Sequence, residues 1–494
     1  MNFSRGEYFK ELCVRIANLS DLVLKTETDT IKKRINNEIE CILQKQKGGF
    51  WDITRGDSVF IQYMRELYEL LGQGLKKREL DSFLNDLLTC AIKETEKKVK
   101  IVFFTQESYI WTSFESIYRA CANDDRFIAQ LVYIPFNHPN AGGNNANDFY
   151  TIYKDEMNLP IVRHDEYSIS AESPDVAFFI KPYDLIPMQY YIDDVDKVVR
   201  RCVFIRYGFE IAAWNVRYHF ELPLHTKAWR FIVYGEMLKQ LAAKHMSNDG
   251  KNVVAWGHPR ADIYRNFEMN RDCIPQEWKN KIAGRKTVLW NTQHTIQANT
   301  GGGTFFQWKD ELFDFFENNF EICLIWRPHP LMFGAIINDG YMTSEELDSF
   351  VNEQSERNNI IIDRSTSYKE AFFASDAIIT DGTAFLIEYQ YTGNPLLLTY
   401  KSLFDENTGE EIDGIYFREE FFESLYIAQE KNDVANFLNM ILCNEDHKKK
   451  AREELTRNLL TINPEGNGEF IKNRLFSEIL REEKERATLK DEVE

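Results

Sequence analysis

The chain has 494 residues, enough for two or three domains, and its 44% hydrophobic and 14% aromatic content predicts packed cores rather than wholesale disorder. Its 59 Lys and Arg residues against 78 Asp and Glu give a formal net charge of −19, which argues against nucleic acid as a partner and against adsorption of the whole surface to an anionic membrane. Eight scattered cysteines with no Cys-x-x-Cys read as reduced thiols, neither a disulfide framework nor a zinc site. The start lacks the apolar core of a signal peptide, and no run approaches the ~20 apolar residues of a membrane span. A cytoplasmic location is therefore expected, peripheral at most at the inner face of the cell membrane.

Residues 1–99 carry apolar residues at spacings of three and four in ELCVRIANLSDLVL, DTIKKRINNEIECILQK and SVFIQYMRELYELLGQGL, predicting a helical N-terminal extension. It shows no chemical motif and reads as a helical cap or oligomerisation arm, although Lys32, Lys33 and Arg34 beside an apolar face permit peripheral membrane contact. At Lys100 the texture changes. IVFF (Ile101 to Phe104), a polar loop, the helix-like FESIYRACAN and the run FIAQLVYIP form a β-loop-α-β pattern with strands buried on both faces. VAFFI, CVFI and FIVY continue it, predicting a Rossmann-like domain over 100–250, with HPNAGGNNANDFY as a surface loop. A second series, TVLWN, ICLIW, Ile360 to Asp363, Ala377 to Thr380 and Leu396 to Thr399, predicts a second Rossmann-like domain over 251–445. Charged helices are expected over 446–494. The fold class read from this order is α/β and GT-B-like: two Rossmann-like domains facing across a cleft behind a helical extension, with ligands at the carboxyl ends of the strands.

Four polar clusters fall where such sheets present ligand residues. Gly257-His258-Pro259-Arg260-Ala261-Asp262 suits a bend between domains, with Arg260 and Asp262 able to pair; it reads as mainly architectural, with a donor-side contact as the functional alternative. Asn291-Thr292-Gln293-His294-Thr295 directly follows TVLWN, and His294 is either a phosphate ligand, a base, or an ordinary loop histidine. The NTGGGTFFQW that comes next can approach a phosphate closely but lacks the Lys-Ser/Thr of a P-loop. Arg327-Pro328-His329-Pro330 puts a cation and an imidazole at the end of ICLIW, suited to phosphate oxygens or to a structural salt bridge. In SDAIITDGTAFLIEY, Thr380, Asp381, Gly382 and Thr383 open a helix that carries Glu388. Free N–H groups and hydroxyls there can hold a pyrophosphate and the carboxylate a ribose, while N-capping alone would also explain them.

Taken together and in this order, the clusters resemble the CDP-glycerol glycerophosphotransferase family of teichoic-acid and capsule polymer synthesis. Its Gly-x-Pro-Arg-x-Asp is matched by Gly257, Pro259, Arg260 and Asp262, and its strand-terminal His-Pro by His329 and Pro330. Its Thr-Asp-Tyr-Ser-Ser with a later Phe-Asp corresponds to Thr380-Asp381-Gly382-Thr383-Ala384 and Ile387-Glu388; NPLLLTY and the tail INPEGNGEFIKNRLFSEI are also similar. The resemblance implies transfer of an alditol phosphate from a CDP-linked donor, held mostly by the domain over 251–445, to a glycan or lipid-linked acceptor on the side of the domain over 100–250, with release of CMP; no metal cluster is visible in the sequence, and no cofactor and no metal are expected. In that scheme Arg327, His329, Thr380 and Thr383 stabilise the pyrophosphate and Glu388 holds the ribose. The family's Trp-His-Gly-Thr, whose His is taken as the base, corresponds here to the stretch from Cys202 to Phe209, with Tyr207 in the His position. A tyrosine hydroxyl with a pKa near ~10 is a poor base. His294 from the facing domain, an acceptor that needs no base, or an inactive protein are the remaining readings. A GT-B glycosyltransferase using a nucleotide sugar and a catalytically silent scaffold in polymer assembly stand as alternative functions.

Overall fold

A computed structural model describes residues 98–136, 146–211, 213, 216–265, 271–296, 302–365, 367–382, 384–399, 401, 403–404, 411–412 and 414–491. Apart from its last two residues, the expected helical extension over 1–99, with Lys32, Lys33 and Arg34, lies outside the described residues. No helix among the described residues is long and apolar enough to cross a membrane.

The apolar runs become strands as their composition demands. β1 (Val99–Thr105), β2 (Phe127–Tyr133), β3 (Ile161–Arg163), β4 (Val176–Phe179), β5 (Cys202–Ile205), β6 (Arg230–Ile232) and β7 (Val253–Val254) form a seven-stranded sheet in the order β3-β2-β1-β4-β5-β6-β7. The pairs β2–β3, β1–β4, β4–β5, β5–β6 and β6–β7 are parallel, and β4 and β5 are buried along their whole length. The chain runs outward from β1 to β3 and then returns to lay β4 on the other side of β1. The switch point of this sheet therefore lies between β1 and β4. Phe103 on β1 stacks on Phe178 of β4 with ring centroids 4.6 Å apart, which stiffens that seam.

The second sheet repeats the plan. β8 (Lys286–Thr292), β9 (Ile322–Pro328), β10 (Ile360–Ile362), β11 (Ala377–Thr380), β12 (Leu396–Thr399) and, after a short hairpin of β13 (Leu403–Phe404) and β14 (Glu411–Ile412), β15 (Tyr426–Ala428) take the order β10-β9-β8-β11-β12-β15. All its pairs are parallel, and the switch point lies between β8 and β11. Beneath β8 and β9, Trp290, Trp326 and Phe305 stack at 5.2–5.9 Å, so the helix Phe305–Asn318 is pinned to the two strands whose ends carry the candidate site.

β7 extends the first sheet past the expected division at residue 250, and the second sheet starts only at Lys286. The segment between contains the Gly257–Asp262 motif. Two helices, Lys449–Leu459 and Asn467–Asp491, follow β15 and a further helix, Asp433–Leu442. The chain divides into two compact units: Cys121–Ile128 and Asn473–Glu494 group with the chain up to Lys100, and Ile101–Ala120 with Ala129–Lys472 form the other. Within the smaller unit Arg126 pairs with Asp124 at 2.5 Å and lies 4.5 Å from the Phe476 ring. The larger unit holds the carboxyl ends of both sheets.

Candidate active site

β8 and β11 are direct neighbours with Thr380 in register with Asn291, so their carboxyl ends deliver the NTQHT and TDGT clusters side by side. The Thr380 hydroxyl donates to Asn291 Oδ1 at 3.3 Å, and Asn291 Nδ2 donates to the Arg327 carbonyl at 3.3 Å. A belt of side chains thus ties β11, β8 and β9 together. Thr380 is fully buried, so it shapes the site through Asn291 and offers no hydroxyl to a phosphate as it stands.

Asp381 has a comparable role. Its carboxylate accepts the Gln293 N–H at 3.0 and 3.1 Å and the Thr304 N–H at 3.2 Å, and its carbonyl accepts from Gln293 Nε2 at 2.7 Å. It therefore clamps both ends of the glycine-rich loop, of which 297–301 lie outside the described residues. Burial pushes this carboxyl up to about 7 against the opposing pull of the backbone N–H groups. Gly382 has φ +76°, a left-handed backbone that an L side chain rarely adopts, which makes glycine the fitting residue in this turn. Thr383 lies outside the described residues.

His294 and His329, from the ends of β8 and β9, face each other with ring centroids 4.3 Å apart and planes 30° from parallel. Burial lowers the pKa of His294, and burial together with the His294 charge lowers His329 to about 4, so the pair is neutral at pH 7. His329 Nδ1 accepts the Leu331 N–H at 3.2 Å, which leaves the ring proton on Nε2 as a donor. Among the described residues, His294 Nδ1 is buried without a partner. Arg327 departs from the expected phosphate contact. Its guanidinium pairs with buried Asp363, donates to the Ser367 carbonyl at 3.0 Å and to the Ser365 carbonyl at 2.9 Å, and so ties β9 to the loop after β10.

A second network gathers at Gly257–Asp262. Gly257 (φ +87°) passes so close to the last helix that a Cβ would lie 2.5 Å from Asn467 Nδ2. His258, lowered to about 3 by burial and by Arg260, donates through Nε2 to the Arg206 carbonyl at 2.8 Å and accepts the Arg260 N–H at Nδ1. Asp262 accepts the N–H groups of Asn467 and Gly468 at 2.7 and 2.8 Å and caps that helix. Arg260 does not pair with Asp262 as the sequence allowed; it reaches Glu388 Oε2 at 3.0 Å, Ser113 Oγ at 2.9 Å and the Tyr207 carbonyl at 2.5 Å. Glu388 also accepts the hydroxyls of Tyr264 at 2.9 Å and Tyr368 at 2.7 Å. With 0% exposure and three donors, Glu388 cannot meet a ribose as placed here. It anchors the helix after β11 to the residues beyond the first sheet.

Tyr207 follows β5. Its carbonyl takes part in the Arg260 network, and its hydroxyl lies 3.5 Å from that of Tyr183. Burial, then the neighbouring Tyr183, push the Tyr207 hydroxyl pKa further up, the direction opposite to what a general base requires. Sequence reasoning missed Glu107 and Lys181, which leave the ends of β1 and β4 at the first switch point and form a buried pair, Nζ lying 2.6 and 2.7 Å from the two carboxylate oxygens. The signal was present as the polar residues directly after IVFFT and VAFFI. A separate cavity of about 400 Å³ with Arg271, Lys286, Glu321 and Asp376 in its wall opens at the amino end of β8, the end of the strand remote from His294.

Comparison with known proteins bears on the family and the fold. The model of the CDP-glycerol:poly(glycerophosphate) glycerophosphotransferase family matches residues 220–477, a little over half of the chain. The chain belongs to that family. Among solved structures, a histidine-to-asparagine variant of the wall teichoic acid polymerase TagF, soaked with CDPG, is 13% identical over 86% of this chain and 98% of that chain, with a TM-score of 0.51. A protein from Listeria monocytogenes assigned as a UDP-N-acetylglucosamine 2-epimerase is 12% identical over 77% and 95% of the two chains at a TM-score of 0.50. Another UDP-N-acetylglucosamine 2-epimerase is 10% identical over 78% and 96%, also at 0.50. At these identities the likeness is one of fold, and it agrees with the GT-B-like α/β architecture. A search of curated proteins finds no significant match. Membership of the glycerophosphotransferase family supports a transferase with a nucleotide-linked donor, CDP-glycerol. The match takes in the whole second sheet and the Gly257–Asp262 segment, and begins after Tyr207.

Proposed function

We propose that the chain transfers glycerol phosphate, or a related alditol phosphate, from a CDP-linked donor to a hydroxyl of a cell-surface glycan or lipid-linked acceptor. The acceptor oxygen forms a bond to the phosphorus that bears the alditol. The bond from that phosphorus to the bridging oxygen breaks, CMP leaves with the bridging oxygen, and the acceptor hydroxyl gives up its proton. The observation that carries this reading is the family match over the second sheet, because the stacked His294–His329 pair sits at the carboxyl ends of β8 and β9 within it.

In this reading the Nε2–H of His329 donates to the pyrophosphate, and His294 either shares that load or takes the acceptor proton. Catalysis of this kind rests on positioning and charge stabilisation. Asp381, Thr380 and Arg327 hold the surrounding loops, and Glu388 with Arg260 holds the helix after β11. The reaction is metal-independent and takes place at the inner face of the cell membrane.

The test is to incubate the purified chain with CDP-glycerol, CDP-ribitol and a panel of nucleotide sugars, each with a glycan acceptor, and to follow nucleotide release. CMP from a CDP-alditol is expected. A nucleoside diphosphate from a sugar donor would convert the reading to glycosyl transfer, and tight nucleotide binding without release from any donor would make the chain a silent binding protein.

A further inference from the structure

The first switch point carries a cluster that the donor chemistry does not use. Phe136 and Tyr183 lie 6.2 Å apart between ring centroids, Tyr183 and Tyr218 another 6.2 Å, and the Tyr183 and Tyr207 hydroxyls 3.5 Å. Tyr218 is 49% exposed and the other three rings are partly exposed. Lys181 joins them, its Nζ 3.7 Å from the Phe136 ring centroid and 5.3 Å from that of Tyr207. The residues come from the segments after β2, β4 and β5, the ends at which a doubly wound sheet takes its ligand.

The charges here cancel locally. Lys181 is held against both oxygens of Glu107, and Arg206 pairs with Glu210 at 3.0 Å. Lys181 therefore arrives with its own carboxylate and adds no net positive charge for a phosphate to meet, and Arg206 is buried with its guanidinium taken up by Glu210, the Tyr218 carbonyl and the Tyr183 hydroxyl. What remains is ring faces, which pack against the C–H faces of a sugar, and phenol hydroxyls, which exchange hydrogen bonds with its hydroxyls. The family match begins at residue 220, beyond every one of these residues, so the family's description speaks for the donor side and not for this patch.

We propose that the patch formed by Phe136, Tyr183, Tyr207 and Tyr218 over the Glu107–Lys181 pair is the acceptor subsite, and that it takes an uncharged sugar terminus rather than a phosphodiester one. Only the word acceptor rests on the transfer reaction proposed above; recognition of a neutral glycan does not.

The experiment is saturation-transfer NMR on the full chain with two probes: an uncharged alkyl disaccharide, and the same disaccharide extended by one glycerol phosphate. The neutral probe is expected to bind, and to lose roughly tenfold in affinity with Tyr218→Ala and with Tyr183→Ala. Tyr183→Phe, which keeps the ring, should retain binding within about threefold. Calorimetric affinity for CDP-glycerol should stay unchanged in all three, which separates a subsite from a general folding defect. Equal or tighter binding of the phosphorylated probe, or its loss with exposed Arg217→Gln, overturns the proposal, as does a neutral-probe signal insensitive to both alanine variants. If the neutral probe binds through the tyrosines and CDP-glycerol does not bind, the transfer reading fails and the glycan subsite stands. If CDP-glycerol is turned over only on the phosphorylated probe, the subsite fails and the transfer reading stands.

Discussion

The sheet order β3-β2-β1-β4-β5-β6-β7 and the order β10-β9-β8-β11-β12-β15 place each switch point beside the first strand of its own sheet, yet the side chains delivered there differ in kind. Between β1 and β4 the ionisable groups are neutralised in place, as Glu107 with Lys181, and the free chemistry is aromatic. Between β8 and β11 the carboxylate of Asp381 is spent on backbone N–H groups, and two neutral imidazoles are left facing each other. Topology therefore chooses the place, and the residues just past each strand choose the ligand. Arg260 and Glu388 join the two halves.

Arg260→Ala should have the largest effect, about 3–5 kcal/mol of lost stability by chemical denaturation, because it strands a fully buried Glu388. A loss below about 1 kcal/mol would mean that the contact behaves like a surface pair and does not join the halves. Next come the two candidate bases. His294→Ala should lower turnover by roughly a hundredfold with less effect on donor affinity, whereas Tyr207→Phe should stay within about threefold. The reverse pattern in single-turnover kinetics would move the proton acceptor from the second sheet to the first.

A smaller effect is expected at His329. His329→Ala should weaken CDP-glycerol binding by roughly tenfold, about 1.4 kcal/mol, with the unfolding midpoint unchanged. The free ring is held down to about 4, and a bound pyrophosphate favours its charged form. Calorimetric affinity should therefore rise as pH falls toward about 4, with proton uptake that the variant loses. A flat profile in the unsubstituted chain would remove the imidazole pair from the anion site.

A pH-dependent effect, on stability rather than on binding, is expected at Asp381. Its folded pKa of about 7 lies above its ordinary 3.8, so the folded state holds the proton longer and stability declines as pH rises between those two values. Asp381→Asn should flatten that part of the pH–stability curve measured by thermal unfolding. An identical slope in the variant would assign the titration to another group, with Glu210, likewise pushed up to about 7 by burial, the first to examine.

Much of the architecture was legible in the apolar runs. IVFF, VAFF, CVFI, TVLWN and ICLIW are strands because continuous β-branched and aromatic runs suit a sheet buried on both faces. The missed strands are short ones, β3, β7, β13, β14 and β15, of two or three residues each. The candidate site was legible as clusters but not as roles. Spacing could place Arg327 at a strand end, but could not reveal that Asp363, Ser365 and Ser367 occupy its guanidinium.

Two βα series, the motif order that marks the family, and the strand ends that carry the candidate site are all written along the chain. These are local properties, carried by hydrophobic period and by turn residues. Only the tertiary structure decided which polar groups remain available at those ends. Glu388 meets Arg260 across 128 residues of chain, and Glu107 meets Lys181 across 74. A buried charge must find its partner wherever the fold brings one, and that pairing is invisible to any reading along the chain.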